Sequence, residues 1–278
     1  MIKEKAYAKI NLGLEVGPVR EDGFHDFNSI MVPIDLYDEL TFEENENGIL
    51  LIDNTNVKTE DNFVYKAAKL FLEKYKINTG VTINLNKVIP DKAGLGGGSS
   101  DAAATLRGLN RLFDTKASLD ELAVLSRSLG SDMPFCVYSR PAFCTGHGEI
   151  VKLLDFDVKP IPLCIVKPPY GLSTKEVYNE FQFLSVNIHE EQFENIKEAL
   201  KQGDLKLLMD NLFNDLEAPA FKLKPELSKL AETIKDLGYY VRMTGSGTGL
   251  LVFNDNNDFL KIHQNILFHT IIDATIME

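Results

Sequence analysis

The 278-residue chain reads as an α+β protein of two parts. Three observations predict this. Residues 6–16 alternate apolar and polar, as a strand does. A second alternating run, with Val81, Ile83 and Leu85 on one side, leads through a glycine-rich loop into residues at helical spacing. Beyond residue 160, strand-like and helix-like segments follow one another up to two strands joined by Gly245-Ser246-Gly247-Thr248-Gly249. Such mixing favours a layered α+β sandwich. The length suits roughly two domains. The stretch 152–160, with its acids, lysines and proline, puts the boundary between 1–155 and 156–278.

Composition narrows the partners. With 44% hydrophobic and 25% charged residues the chain matches an ordinary soluble globular protein. A net charge of −12 argues against nucleic acid, whose phosphates need a basic surface. Three cysteines form no Cys-x-x-Cys pair and cannot all pair internally, which fits a reducing compartment. Met1-Ile2-Lys3 leads straight into a strand with no signal peptide, and no apolar run approaches the roughly 20 residues of a membrane span. A cytoplasmic protein without membrane contact is expected. Cysteine and histidine show no metal-ligand spacing, so no protein-held metal is expected either.

In the first strand Ala6, Ala8, Ile10, Leu12, Leu14 and Val16 share a face, and Lys9 and Asn11 lie two apart on the other. By itself a Lys-x-Asn pair is far more often a solvated strand face than a site. Gly17-Pro18 opens a turn, and Phe24-His25 follows Asp22-Gly23. That pair is either an aromatic folded back on the domain or a stacking platform whose imidazole reads a base edge. Residues 49–52 form a short edge strand. Residues 61–75 form a helix, with Val64, Ala67, Ala68, Phe71 and Leu72 inward.

The stretch Pro90-Asp91-Lys92-Ala93-Gly94-Leu95-Gly96-Gly97-Gly98-Ser99-Ser100-Asp101 runs from strand to helix. Its glycines remove side chains that would hold an anion off the backbone N–H groups, and the helix N-terminus adds partial positive charge. Ser99 or Ser100 is placed to cap the helix. This is a polyphosphate cradle, with a plain capped turn as the competing reading. It is neither a P-loop nor a dinucleotide fingerprint. Ser118 caps a further helix with acids in its first turn, Leu122, Leu125 and Leu129 inward, and Gly130 as its C-cap. Asp132 taken alone caps a turn before Pro134. Residues 142–149 make a strand and turn, with His147 a surface turn residue. Residues 163–166 make a buried strand, and Ser173 or Thr174 caps the helix that carries Tyr178. Tyr178 is a packed aromatic or the wall of a ring-binding cleft. Helical patterns follow at 193–200, 205–212 and 225–237.

The glycine loop closely resembles the ATP loop of the GHMP kinases (galactokinase, homoserine kinase, mevalonate kinase and relatives), in a Gly-Leu-Gly-Gly-Gly-Ser-Ser variant typical of one branch. Ala8-Lys9-Ile10-Asn11-Leu12, Arg20-x-Asp22-Gly23-Phe24-His25 and Gly130-Ser131-Asp132-x-Pro134-Phe135 are similar to the same branch. That branch phosphorylates the 2-hydroxyl of a cytidine diphosphate-linked sugar alcohol in the non-mevalonate isoprenoid pathway. The similarity covers essentially the whole chain, most strongly residues 6–37 and 84–149.

The resemblance implies a ribosomal-protein-S5-like N-terminal domain and a ferredoxin-like C-terminal domain. It implies an ATP:alcohol phosphotransferase that uses ATP with Mg²⁺. Pro90, Ala93, Gly94, Leu95, Gly96, Gly97, Gly98, Ser99 and Ser100 would bind ATP. Lys9 and Asp132 would be catalytic, Asp132 taking the proton of the attacking hydroxyl and Lys9 orienting it. Asn11, Phe24, His25, Tyr178, Thr244, Gly245, Ser246 and Gly247 would bind substrate, with Tyr178 opposite Phe24 across the cytosine. Two departures stand out: Phe24 replaces the usual Tyr, and Thr248-Gly249 replaces Ser, Pro or Ala followed by a small residue. Partners would be small molecules, and the protein a monomer or homodimer. A homoserine- or mevalonate-type kinase is the nearest alternative, against which Phe24-His25 speaks. A non-catalytic nucleotide-binding regulator would be expected to lack Lys9 or Asp132.

Overall fold

The computed structural model describes residues 1–21, 23–181 and 189–277. Its frame is a long antiparallel ribbon of β1 (Ile2–Val19) and β2 (His25–Asn45), with Ile2 opposite Phe42 and Val19 opposite His25. The alternation in β1 marks the strand correctly. From Ala8 to Leu14, however, both faces are buried, so Lys9 and Asn11 do not look into solvent.

β3 (Ile49–Asp53) is the edge strand and runs parallel to β4 (Gly80–Asn86), which pairs antiparallel with β2. Between them α1 (Phe63–Tyr75) starts at Asn62, whose side chain accepts the Val64 N–H at 2.9 Å and donates to Asp53 at 3.2 Å. Asn62→Ala removes the cap and is expected to cost about 1 kcal/mol in chemical denaturation. A loss near zero would show that the α1 start is held by packing alone.

α2 (Gly97–Leu112), α3 (Leu119–Ser126), α4 (Met133–Tyr138), β5 (Ala142–Thr145) and β6 (Ile150–Leu153) complete the first half. Ser118 and Glu121 form the expected capping box. Two helix ends differ from expectation. Gly96, at φ 68°, is the N-cap of α2, so Ser99 and Ser100 lie inside the first turn. A left-handed cap suits glycine and strains serine. α3 ends at Ser126 rather than Gly130. Ser126 and Ser128 donate to the carbonyls of Ala123 and Leu125, drawing the chain into a tight turn.

The chain continues through β7 (Ile161–Lys167), α5 (Thr174–Glu180), α6 (Glu190–Gln202), α7 (Leu205–Asn211), β8 (Phe213–Asn214) and α8 (Glu217–Leu223). It closes with α9 (Pro225–Asp236), β9 (Tyr240–Met243), β10 (Leu250–Phe253), α10 (Leu260–Asn265) and β11 (Thr270–Ile276). Neither Ser173 nor Thr174 caps α5 with its side chain; the Thr174 hydroxyl pairs with Ser246 at 2.8 Å instead. Four strands of this half order β11-β7-β10-β9, all antiparallel. Helices join β7 to β9 and β10 to β11, which is the ferredoxin-like sandwich. The expected boundary at 155/156 falls between β6 and β7.

The two halves are not separately cored. β11 pairs with β2 at Ile276–Ile34. One apolar cluster takes Ile10, Leu12 and Ile30 from the ribbon, Ile165 and Leu251 from the second sheet, and Phe193 and Ile196 from α6. At roughly 25 cal/mol per Å² of buried apolar area, this shared core holds the apolar face of β1 against the second half and leaves Lys9 and Asn11 on the opposite face.

Candidate active site

On that face Lys9 and Asn11 are each 4% exposed. The Lys9 ammonium donates to Asn11 Oδ1 at 2.8 Å and lies 3.2 Å from Asp132 Oδ2. Asn11 donates in turn to Ser29 Oγ at 2.8 Å. A buried ammonium needs partners of this kind. Asp132 occupies the N-cap position of α4 but makes no capping bond with its side chain. Its carboxylate turns to Lys9 and remains 31% exposed, toward the opening. The turn-cap reading therefore fails on geometry, and a cation and an anion from opposite ends of the first half meet.

The glycine loop lies over the Lys9 stem. A Cβ on Gly96 would sit 2.8 Å from Lys9 Cγ, and the Lys9 N–H donates to Leu95 O at 3.0 Å. Ala93 and Leu95 are buried, so they offer the loop only backbone, while Pro90 is half-buried at its entry. Gly97 and Gly98 open the first turn of α2, and Ser99 is half-buried there. Ser100 corrects an expectation. It is buried, and its hydroxyl donates to Tyr7 O at 2.7 Å, tying α2 to β1 rather than facing a ligand. It stands 3.4 Å from Cys136 Sγ on the core side.

The second glycine turn is interlocked with the first. Thr248 and Gly249 donate their N–H groups to the carbonyls of Lys92 and Ala93, both at 3.0 Å. A Cβ on Gly94 would overlap the Thr244 carbonyl, and one on Gly249 the Ala93 carbonyl. Thr244 is fully buried, and its hydroxyl accepts the Asn11 N–H at 2.9 Å. It braces β1 instead of presenting a substrate contact, a second correction. Gly247 donates to Thr244 O at 3.1 Å, and Gly245 O accepts from Asn214 at 2.9 Å. Thr248-Gly249, the departure from the family pattern, thus makes the contacts to the first loop.

The aromatic residues form two groups of tilted or edge-on rings. His25 Nδ1 lies 2.8 Å from Gly17 O; a carbonyl only accepts, so Nδ1 carries the proton and Nε2 of the neutral ring is an acceptor. The His25 ring lies 5.5 Å from Tyr178 and 5.8 Å from Phe181. Burial pushes the Tyr178 phenol above its ordinary pKa, and Asp132 adds to the shift. Phe24, 58% exposed, pairs with His147 at 5.6 Å. Tyr178 is therefore the neighbour of His25, and His147 that of Phe24. His147 lies in a turn, as expected, half-buried and with Nδ1 3.0 Å from Ser131 Oγ. Asp22 of the motif lies outside the described residues.

One network behind the loop has no sequence signature. Lys87 donates to Asp38 and, at 2.8 Å, to Asp101. Asp38 also accepts the N–H groups of Val88 and Ile89. Burial, opposed by Lys87, pushes the Asp101 carboxyl up to about 8, and its Oδ1 has no partner. The Lys87 ammonium would lie 3.0 Å from a Cβ on Gly97. The only hint is an Asp directly before the buried run Ala102–104. The fold also gathers Cys164, His263 and Asp273, distant in sequence, with donor atoms within 4.8 Å of one another. His263 pairs with Asp273 at 3.1 Å, and the trio shares no residue with the loop or the Lys9–Asp132 pair.

Backbone donors at a helix start, an ammonium and a carboxylate at the same mouth define a small-molecule phosphotransferase site of the GHMP type. The GHMP kinase N-terminal domain matches residues 62–140 and the GHMP kinase C-terminal domain residues 196–264. The 4-diphosphocytidyl-2-C-methyl-D-erythritol kinase of Macrococcus caseolyticus is 44% identical over 91% of this chain and 89% of its own length. That of Clostridium beijerinckii is 41% identical over 94% and 92%. A crystal structure of 4-(cytidine 5'-diphospho)-2C-methyl-D-erythritol kinase superposes with TM-score 0.83 at 32% identity, covering 100% of both chains. Homoserine kinase from Cytophaga hutchinsonii, at 16% identity and TM-score 0.72, shares the fold over 99% of this chain and 94% of its own. The chain belongs to the GHMP kinases and, within them, to the 4-diphosphocytidyl-2-C-methyl-D-erythritol kinase family. No helix among the described residues is long and apolar enough to cross a membrane.

Proposed function

We propose that the protein transfers the γ-phosphoryl group of ATP to the 2-hydroxyl of 4-diphosphocytidyl-2-C-methyl-D-erythritol, and that Lys9 and Asp132 carry the transfer. The supporting observation is their 3.2 Å contact under a loop of backbone donors. Phosphoryl transfer depends on positioning and charge neutralisation more than on covalent help. The amides from Gly96 to Ser99 and the α2 N-terminus hold the phosphates. Asp132 Oδ accepts the proton of the attacking hydroxyl, and its exposed edge is the one a substrate can reach. Lys9 orients that carboxylate and offsets charge that builds on the transferred group. Asn11, held by Ser29, fixes Lys9 in turn.

Phe24 stacks on the cytosine, and His25 Nε2 accepts from its exocyclic amine. Tyr178 and Phe181 back the imidazole. Binding energy from this remote ring places the hydroxyl. ATP arrives as its Mg²⁺ complex. Such an ion takes hard oxygen ligands and keeps several waters beside the phosphates; the Ser99 hydroxyl at the loop mouth would fit its shell. The reading implies small-molecule partners and a cytoplasmic setting.

The reaction is tested by incubating the protein with ATP, Mg²⁺ and the cytidine diphosphate substrate, followed by phosphorus NMR. A new monoester at the 2-position with loss of the γ-phosphate is expected. Transfer to homoserine or mevalonate in place of this substrate would overturn the substrate assignment. Nucleotide binding without any product would overturn the enzyme reading.

A further inference from the structure

Lys167 ends β7 with an ammonium that the reaction leaves unused. It is 6% exposed, and among the described residues it makes no ion pair. Its Nζ donates to the carbonyls of Pro168 and, at 2.7 Å, Tyr170. Burial is the main cause that lowers its pKa; Asp91 opposes the shift and Lys92 adds to it. An ammonium held in the interior by carbonyls alone costs stability, so the segment it folds is worth following.

That segment leads to the phosphate loop. Tyr170 O also accepts from the Thr248 hydroxyl, of whose two acceptors it is the nearer, at 3.0 Å against 3.3 Å for Lys92 O. Thr248 is fully buried, and its backbone N–H donates to Lys92 O at 3.0 Å. A Cβ on Gly171 would overlap the Lys92 side chain, so residues 168–171 lie directly against the start of the loop. The path runs Lys167, Tyr170 carbonyl, Thr248, Lys92 carbonyl, and then Ala93, whose own carbonyl takes the Gly249 N–H.

We propose that Lys167 and Thr248 are positioning residues for the nucleotide loop, acting from the second half of the molecule through the shared Tyr170 carbonyl. The ammonium fixes where that carbonyl points, and the carbonyl fixes the Thr248 rotamer. Thr248 then sets the height of Lys92 and Ala93, and so of the amides that follow. The inference rests on residues 93–100 being the nucleotide site.

The experiment compares Thr248→Val, Thr248→Ser, Lys167→Met and the Val/Met double variant. Steady-state kinetics and calorimetric binding of a non-hydrolysable ATP analogue are the readouts, with thermal denaturation as control. Thr248→Val keeps the shape and deletes the donor. It should raise both the KM for ATP and the analogue Kd about five- to tenfold, the scale of one hydrogen bond, and leave the acceptor KM within about twofold. Thr248→Ser should restore both. The double variant should lose less than the product of the single losses, because both act on one carbonyl. ATP affinity unchanged in Thr248→Val, KM values for both substrates rising together with a fallen Tm, or strictly multiplicative losses would each overturn the relay. A wild-type protein that binds no analogue would instead sink the nucleotide-loop reading. Should Lys167→Met fail to fold, the Val and Ser variants still decide.

Discussion

Asp132→Asn is expected to cut kcat by about 10²-fold or more, the usual scale for loss of a general base, with little change in fold or ATP affinity. The carboxamide is nearly isosteric, and its oxygen can still accept from Lys9. No cap is lost, since the Asp132 side chain makes no capping bond to α4. The buried Lys9 ammonium keeps the Asn11 oxygen and the new carboxamide oxygen as acceptors, so the stability cost stays below that of deleting the partner outright. What disappears is the carboxylate that, alone among the described residues, is paired with Lys9 and open to a substrate. Single-turnover rates with saturating ATP, next to Tm for the same preparation, separate the two effects. Turnover equal to wild type would remove Asp132 from the mechanism.

Lys87→Met should be the most destabilising single change on the loop side, by about 3–5 kcal/mol, the cost of stripping one partner from a buried charge cluster. Two carboxylates, Asp38 and Asp101, converge on that ammonium, and Asp38 also terminates the N–H groups of Val88 and Ile89. The loss should depend on pH, with a definite sign. Asp101 is raised in the native state by burial, to about 8, so the folded protein holds a proton that the unfolded chain gives up near the ordinary carboxylate range. Stability from that proton is full below the unfolded pKa and disappears as pH rises through the folded one. Without Lys87 the Asp101 pKa rises further, so the penalty should be level up to about pH 7 and should grow between about pH 7 and about pH 9.5, where only the wild type can release the proton. Urea denaturation of both proteins at the two pH values measures this. A penalty that is equal at both, or that shrinks as pH rises, would contradict the assignment of charges.

The long, regular parts of the fold and the two glycine turns were legible because their signals are local. Alternation marks β1, helical spacing marks α1, α2, α6 and α9, and the strand–glycine–helix context marks the anion site. The shared core was not legible, because no local pattern says that Ile10 and Phe193 will touch. This concealed the burial of the Lys9 face. Serine roles were misread for a related reason. Composition shows Ser99-Ser100 at a helix start, but the left-handed Gly96 shifts the cap one position before the helix and turns Ser100 inward to Tyr7. Thr244 looked like part of a ligand loop and is consumed by the Asn11 N–H. Lys87, Asp38 and Asp101 come from three separate elements, and only folding discloses them. The Lys9–Asp132 pair was anticipated through motif resemblance; each residue alone pointed to a solvated strand or a turn.

A crystal structure with a non-hydrolysable ATP analogue and the cytidine diphosphate acceptor bound together is the most direct measurement. The account predicts the terminal phosphate over the amides of Gly96 to Ser99, with Lys9 Nζ within hydrogen-bonding distance and the acceptor hydroxyl between that phosphate and Asp132. A nucleotide bound elsewhere, or an acceptor hydroxyl approached by a group other than Asp132, would contradict it.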